Sequence, residues 1–111
     1  MFARSVTIHL KPNAVAEFNR TMEKEILPLL QKQKGFRDEI TLAGSNGAEV
    51  VGLSFWDKRE DAEAYQRTTY PEVQNLLAKV SEGTPQVQTF EVSTSTVHKT
   101  VHNAAARGVS G

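Results

Sequence analysis

Cysteine is absent from this 111-residue chain. That excludes a disulfide framework, a thiolate nucleophile and any zinc–sulfur site. Net charge is absent too, because thirteen basic and thirteen acidic side chains cancel. No basic stripe stands out either, which argues against a nucleic-acid partner. No apolar run approaches the ~18 residues of a membrane span. The opening stretch MFARSVTIHL alternates like a strand and lacks the apolar run of a secretory signal, so the cytoplasm is the expected address. Missing as well are a glycine-rich phosphate loop, a Ser–His–Asp pattern and a dinucleotide fingerprint. The chain thus offers no visible means of holding a nucleotide or nicotinamide, and the expected cofactor is none.

What remains is an ordinary globular composition, 39% apolar and 23% charged, at a length that fits one domain with a modest core. Residues 2–10 alternate with period two, placing Val6, Ile8 and Leu10 on one face and Ser5, Thr7 and His9 on the other. Asn13 is a good helix N-cap after the Lys11-Pro12 break. Val15, Phe18, Met22, Ile26 and the pair Leu29-Leu30 then recur at spacings of three and four, an amphipathic helix with Pro28 as the expected kink and Gly35 as its left-handed close. Residues 36–42 alternate again, with Phe36, Asp38, Ile40 and Leu42 on one face. Gly44-Ser45-Asn46-Gly47 supplies a hairpin turn, and Val51, Leu53 and Phe55 oppose Val50, Gly52, Ser54 and Trp56 on the returning strand. Asp57 with Glu60 resembles a capping box for a helix through Arg67, restarted at Tyr70-Pro71. Ser81 to Pro85 reads as a turn and residues 86–97 as a last strand.

The order is β-α-β-β-α-β, an α+β domain over residues 1–97, followed by a polar appendage over 98–111. Two helices cover only one face of a four-stranded sheet. The expected buried set is Val6, Ile8, Leu10, Phe36, Ile40, Leu42, Val51, Leu53 and Phe55. The other face is then either wet or paired with a second copy. In the second case Thr7, His9, Thr41, Val50, Ser54 and the last strand line the interface, and the tail reaches the partner.

Three segments favour the paired reading. At Leu27-Pro28-Leu29-Leu30, at Gly35-Phe36-Arg37 and from Phe55-Trp56-Asp57 to Ala64, the chain resembles the antibiotic biosynthesis monooxygenase-like family. The likeness runs over about residues 2–97 and is more specific for fold than for activity. It implies a ferredoxin-like subunit that dimerises through its sheets into an α+β barrel. Members include cofactor-independent oxygenases of aromatic polyketides, quinol oxygenases and haem-degrading enzymes. The haem-degrading branch uses an Asn, a Trp and a His at positions that fall here on Val6, Tyr65 and Asn75, so haem degradation is disfavoured.

Two functions follow as expectations. The first is a cofactor-independent oxygenase acting on a small aromatic, phenolic or quinol-type molecule. In it Asp38, set among apolar residues, is the base with a raised pKa. Tyr65 and Trp56 orient the substrate, and Phe18, Met22, Phe55 and Tyr70 wall the pocket. The second is a barrel that binds a small ligand without chemistry. A cavity too small for a bicyclic ring, with Asp38 exposed, would favour it. Each residue also has a plainer reading: Trp56 and Tyr65 as packing aromatics, Tyr70 as a helix start, Asp38 in water beside a bulge. His9 is a titratable group for an interface. His98 and His102 make too weak a pair for a metal site, and the expected metal is none.

Overall fold

A computed structural model describes residues 1–97. Strand β1 (Phe2–Leu10) leads through a turn into helix α1 (Val15–Thr21), a π-helical segment (Met22–Ile26) and helix α2 (Leu27–Gln31). Strands β2 (Phe36–Ala43) and β3 (Glu49–Trp56) form the hairpin. Helices α3 (Arg59–Thr68) and α4 (Tyr70–Ala78) precede strand β4 (Ser81–Glu91). The sheet order is β2-β3-β1-β4, and every neighbouring pair is antiparallel. This is the ferredoxin-like α+β arrangement, with all helices on one face.

Several local expectations are met for the reasons given. Gly35 has φ of 78°, and Gly47 in the hairpin turn has φ of 70°, a conformation open to glycine at no steric cost. The helix break between α3 and α4 falls at Thr69, just before Tyr70-Pro71. Others are corrected. Asn13 does not cap α1; it is itself left-handed, with φ of 61°, and the N-cap is Ala14 without a side-chain bond. Lys58, not Asp57, occupies the N-cap of α3. Ser81 to Pro85 is strand rather than turn, and the strand ends at Glu91 rather than Val97. The disturbance ahead of Pro28 is the π-helical segment, one of the known causes of helix irregularity. The tail expectations concerning 98–111 lie outside the described residues.

The larger correction concerns the faces of β2 and β3. Antiparallel partners share a face, and β1 pairs Ile8 with Val50, Val6 with Gly52 and Arg4 with Ser54. The even residues of β3 therefore face the helices. Val50, Ser54 and Trp56 are buried, at 3%, 6% and 0% exposure, whereas Val51, Leu53 and Phe55 look outward. In β2 a bulge intervenes, since Phe36 pairs with Trp56 but Asp38 pairs with Phe55, leaving Arg37 as the extra residue. Phe36 stays against the core. Beyond the bulge the phase flips, so Glu39 and Thr41 turn inward while Ile40 and Leu42 stand half-exposed on the outer face.

The core joins Val6, Ile8 and Leu10 to Phe18, Ile26, Leu30, Trp56, Tyr65, Tyr70, Val73, Leu77 and Val80. Burying side chains of this kind contributes roughly 1.5–3 kcal/mol each for the larger ones.

Candidate functional site

A small cavity of about 40 Å³ lies between the helices and the inner sheet face. Phe18, Met22, Ile26 and Leu30 line it from the first helical stretch, at a constant spacing of four. Tyr65 and Tyr70 enter from α3 and α4, and Thr41, Gly52 and Ser54 from the sheet. Its one charged wall residue is Arg4.

Arg4 was not singled out by sequence pattern, yet it is the most unusual residue in the domain. It lies on β1 in phase with Phe2 and Val6 and is only 3% exposed. Its guanidinium sits over the Tyr70 ring, 4.2 Å from the centroid, and 5.2 Å from the centroid of Tyr65. It donates a hydrogen bond to the amide oxygen of Gln66. No carboxylate pairs with it among the described residues. Burial holds its pKa below the usual arginine value, with the tyrosines acting in the other direction. Burying an unpaired cation is costly, and the two aromatic faces offset part of that cost, about 2 kcal/mol when desolvated. The signal in sequence was present: strict alternation from Val6 puts Arg4 on the apolar face.

The two tyrosines are equally specific. Tyr65 is 2% exposed, and burial pushes its phenol up to about 12, with Arg4 opposing. Tyr70 is also 2% exposed, and burial raises its pKa against the pull of Arg4. Its Oη is buried without a hydrogen-bond partner among the described residues. The Arg4 guanidinium bears on its ionisation but does not meet it in hydrogen-bond geometry. Trp56 is fully buried behind them. Its Nε1 donates to Ser54 Oγ at 2.9 Å, and its ring lies 5.1 Å from Tyr65 and 5.6 Å, edge-on, from Phe36. With its N–H already engaged, Trp56 holds Tyr65 in place and is not a donor to the cavity.

The carboxylate near this site is Glu39, not Asp38. Asp38 is exposed on the outer sheet face, across from Phe55. Glu39, one residue on and past the bulge, faces inward. Burial raises its pKa, while the Thr41 hydroxyl, donating at 2.8 Å, works in the opposite sense. It fits because Gly52 has no side chain: a Cβ there would lie 3.2 Å from Glu39 Oε2. Its charge is felt at Tyr65. Of the expected wall residues, Phe18, Met22 and Tyr70 line the cavity, and Phe55 does not. Of the expected interface residues, Thr7 and His9 lie on the outer face. Thr41, Val50 and Ser54 lie on the helix-covered one. His9 is half-exposed, 3.6 Å from Glu49.

A second, open groove of about 210 Å³ lies between α3 and the edge strand β4. Phe2, Arg59, Ala62, Gln66 and Thr89 border it, and Arg4 forms part of its wall as well as that of the smaller cavity. Among the described residues no helix is long and apolar enough to cross a membrane.

No family profile matches the chain, and no curated protein matches it. Solved structures do. The chain is similar to the ActVA-Orf6 monooxygenase of Streptomyces coelicolor, solved with nanaomycin D, with a TM-score of 0.73 at 14% identity, over 88% of this chain and 92% of that one. It is similar to SnoaB, a cofactor-independent oxygenase of Streptomyces nogalater, with a TM-score of 0.71 at 15% identity, over 87% and 97%. The chain has the antibiotic biosynthesis monooxygenase fold. A protein of unknown function from Nitrosomonas europaea shares that fold with it at a TM-score of 0.73 and 14% identity, over 89% and 95%. At such identities the monooxygenase fold is what the likeness carries; activity is a matter for the residues.

Proposed function

We propose that the protein is a cofactor-independent, monooxygenase-like enzyme for a small aromatic substrate of phenolic or quinol type. The observation that carries this is the convergence of Arg4, Tyr65 and Tyr70 on a small, largely apolar cavity, with Glu39 partly buried beside it against Thr41 and Gly52. Glu39 takes the proton whose removal makes the substrate electron-rich. Its raised pKa suits a base for a weakly acidic O–H or C–H. Arg4 and the Tyr70 hydroxyl stabilise the oxyanion that forms, in a water-poor setting where such contacts are worth most. The resulting carbanion adds O₂ at carbon, protonation gives a hydroperoxide, and loss of water leaves a carbonyl. The balance holds for a substrate whose keto tautomer carries a CH₂, as an anthrone does. All four electrons come from that carbon, one oxygen atom enters the product as the carbonyl and the other leaves as water.

The alternative is a barrel that binds a ligand without chemistry. Two observations favour it: the inner cavity, about 40 Å³, is smaller than the ~150 Å³ that holds a benzene ring, and Asp38 is exposed. Glu39 in the place sought for Asp38, and a groove that meets the cavity at Arg4, keep the enzyme first. Oxygen uptake with a panel of anthrones and hydroquinones decides between them. Uptake that Glu39→Gln abolishes and Asp38→Asn leaves intact supports the enzyme. No uptake above the uncatalysed rate, on a panel that a monooxygenase of this fold turns over, supports the binding protein.

The same proposal includes a homodimer. The outer sheet face carries Ile40, Leu42, Val51, Leu53, Phe55 and Phe90, of which Ile40, Leu42 and Phe90 are 50%, 52% and 49% exposed. A contiguous apolar sheet face of this kind suits a partner rather than water. With Ile40, Leu42 and the odd residues of β3 outside, the case for sheet-to-sheet pairing is stronger than the expected polar face made it. A monomeric mass by light scattering at micromolar concentration would refute it.

A further inference from the structure

We infer that the site takes its ligand as a monoanion, an aromatic with one ionised oxygen, phenolate or carboxylate, seated on Arg4 in place of the Gln66 amide. This rests on the reading of the site given above and adds the charge state of what binds there, but it is decided by binding and does not need turnover. The guanidinium is 3% exposed and has no carboxylate partner among the described residues, whereas buried charges are as a rule paired. Its acceptor, Gln66 Oε1, belongs to an exposed residue of α3 and is neutral. An anionic oxygen outcompetes such an acceptor, because charge-assisted hydrogen bonds are roughly twice as strong.

Space and polarity agree with the exchange. Arg4 lies in the wall of both the small cavity and the groove. Displacing Gln66 frees the guanidinium to move and joins the two spaces, which gives a ring room that the cavity alone does not. Tyr70 Oη, buried and unpartnered, is the second donor. Towards the mouth, Arg59 is offset by Glu91 at 3.6 Å, and Glu63 adds a further negative charge. The positive end of the groove is therefore its floor, and a second negative charge on the ligand would face Glu63 and Glu91. That geometry selects one charge.

Three probes test this by calorimetry and visible absorption: 4-nitrophenol, 4-nitrobenzoate and the neutral 4-nitroanisole. At least one anion is expected to bind about tenfold or more tightly than the neutral isostere, the factor one charge-assisted hydrogen bond supplies; which one distinguishes phenolate from carboxylate. Bound 4-nitrophenol should ionise at a pH lower by about one unit, as beside any close cation. Arg4→Met should erase the preference. Should that variant fail to fold, Gln66→Met at an exposed position should raise anion affinity severalfold and leave 4-nitroanisole unchanged. Equal binding of all three probes, no saturable binding of either anion at millimolar concentration, or a Gln66→Met variant indistinguishable from the parent would each overturn the inference. Anion binding without oxygen uptake would uphold it while refuting catalysis.

Discussion

Replacing Gly35 with alanine tests the joint between the first helical stretch and the hairpin. Gly35 has φ of 78°, where an L side chain costs about 1–2 kcal/mol. Space adds a second cost. A Cβ at this position would overlap the Asp61 carboxyl and lie 2.7 Å from Asp61 Cβ, well inside the 3.5–4.0 Å at which carbons rest. The carboxyl can swing away, but Asp61 Cβ is fixed to the backbone of α3, so the helix itself must shift. Overpacking of this kind costs about 1–3 kcal/mol, and Gly35→Ala should therefore destabilise by roughly 2–5 kcal/mol in all. Asp61→Ala cannot relieve it, since alanine keeps the Cβ. Asp61→Gly can, at its own cost of about 1 kcal/mol in a helix. In the Asp61→Gly background, Gly35→Ala should cost only the backbone part. The assay is urea unfolding of the four proteins at one fixed concentration, with unchanged m-values as the check on comparability. A cost below about 1 kcal/mol, or the same cost in both backgrounds, would refute the argument.

Tyr65, pushed up to about 12 by burial, is neutral in both folded and unfolded chains below pH 10. Above it the unfolded chain ionises first, so about 3 kcal/mol of stability should drain away between pH ~10 and ~12; Tyr65→Phe should flatten that limb in chemical denaturation run against pH. Glu39 has a raised folded pKa, so its contribution is most favourable in acid and declines as pH rises through the folded value. Glu39→Gln should be the more stable protein at neutral pH relative to its parent, with the gap closing in acid, and an unchanged gap in thermal melts would contradict the burial of this carboxyl. Leu53→Asp, on the outer face, should yield monomers by light scattering with little change in secondary structure, whereas Val50→Asp, at 3% exposure under the helices, should fail to fold.

Element order and type were legible because period and punctuation agreed from β1 to α4: alternation in the strands, a four-residue stripe in the first helix, Gly35, the Gly44–Gly47 turn and Pro71. Which side of β2 and β3 meets the helices was not. Hydrophobicity pointed to Val51, Leu53 and Phe55, since they outweigh Val50, Gly52 and Ser54, and it did so because the outer face is apolar as well. Register decided the matter, and register with β1 is a long-range property. The bulge at Arg37 leaves no mark in composition, yet it alone exchanges Asp38 for Glu39 beside the cavity. Arg4 was legible in principle: the alternation that placed Val6 inward also places Arg4 there.

The π-helical segment Met22–Ile26 carries a consequence for how this chain lines up against others. Phe18, Met22, Ile26 and Leu30 all reach the cavity at intervals of four, a spacing that in an unbroken α-helix would drift about 40° per step, roughly 120° over the three steps. The wider turn takes up that drift and keeps all four on one line. In effect the helix contains one residue more than its length in space requires. An α-helical counterpart would match it only across a one-residue gap, in phase on one side of the segment and out of phase on the other.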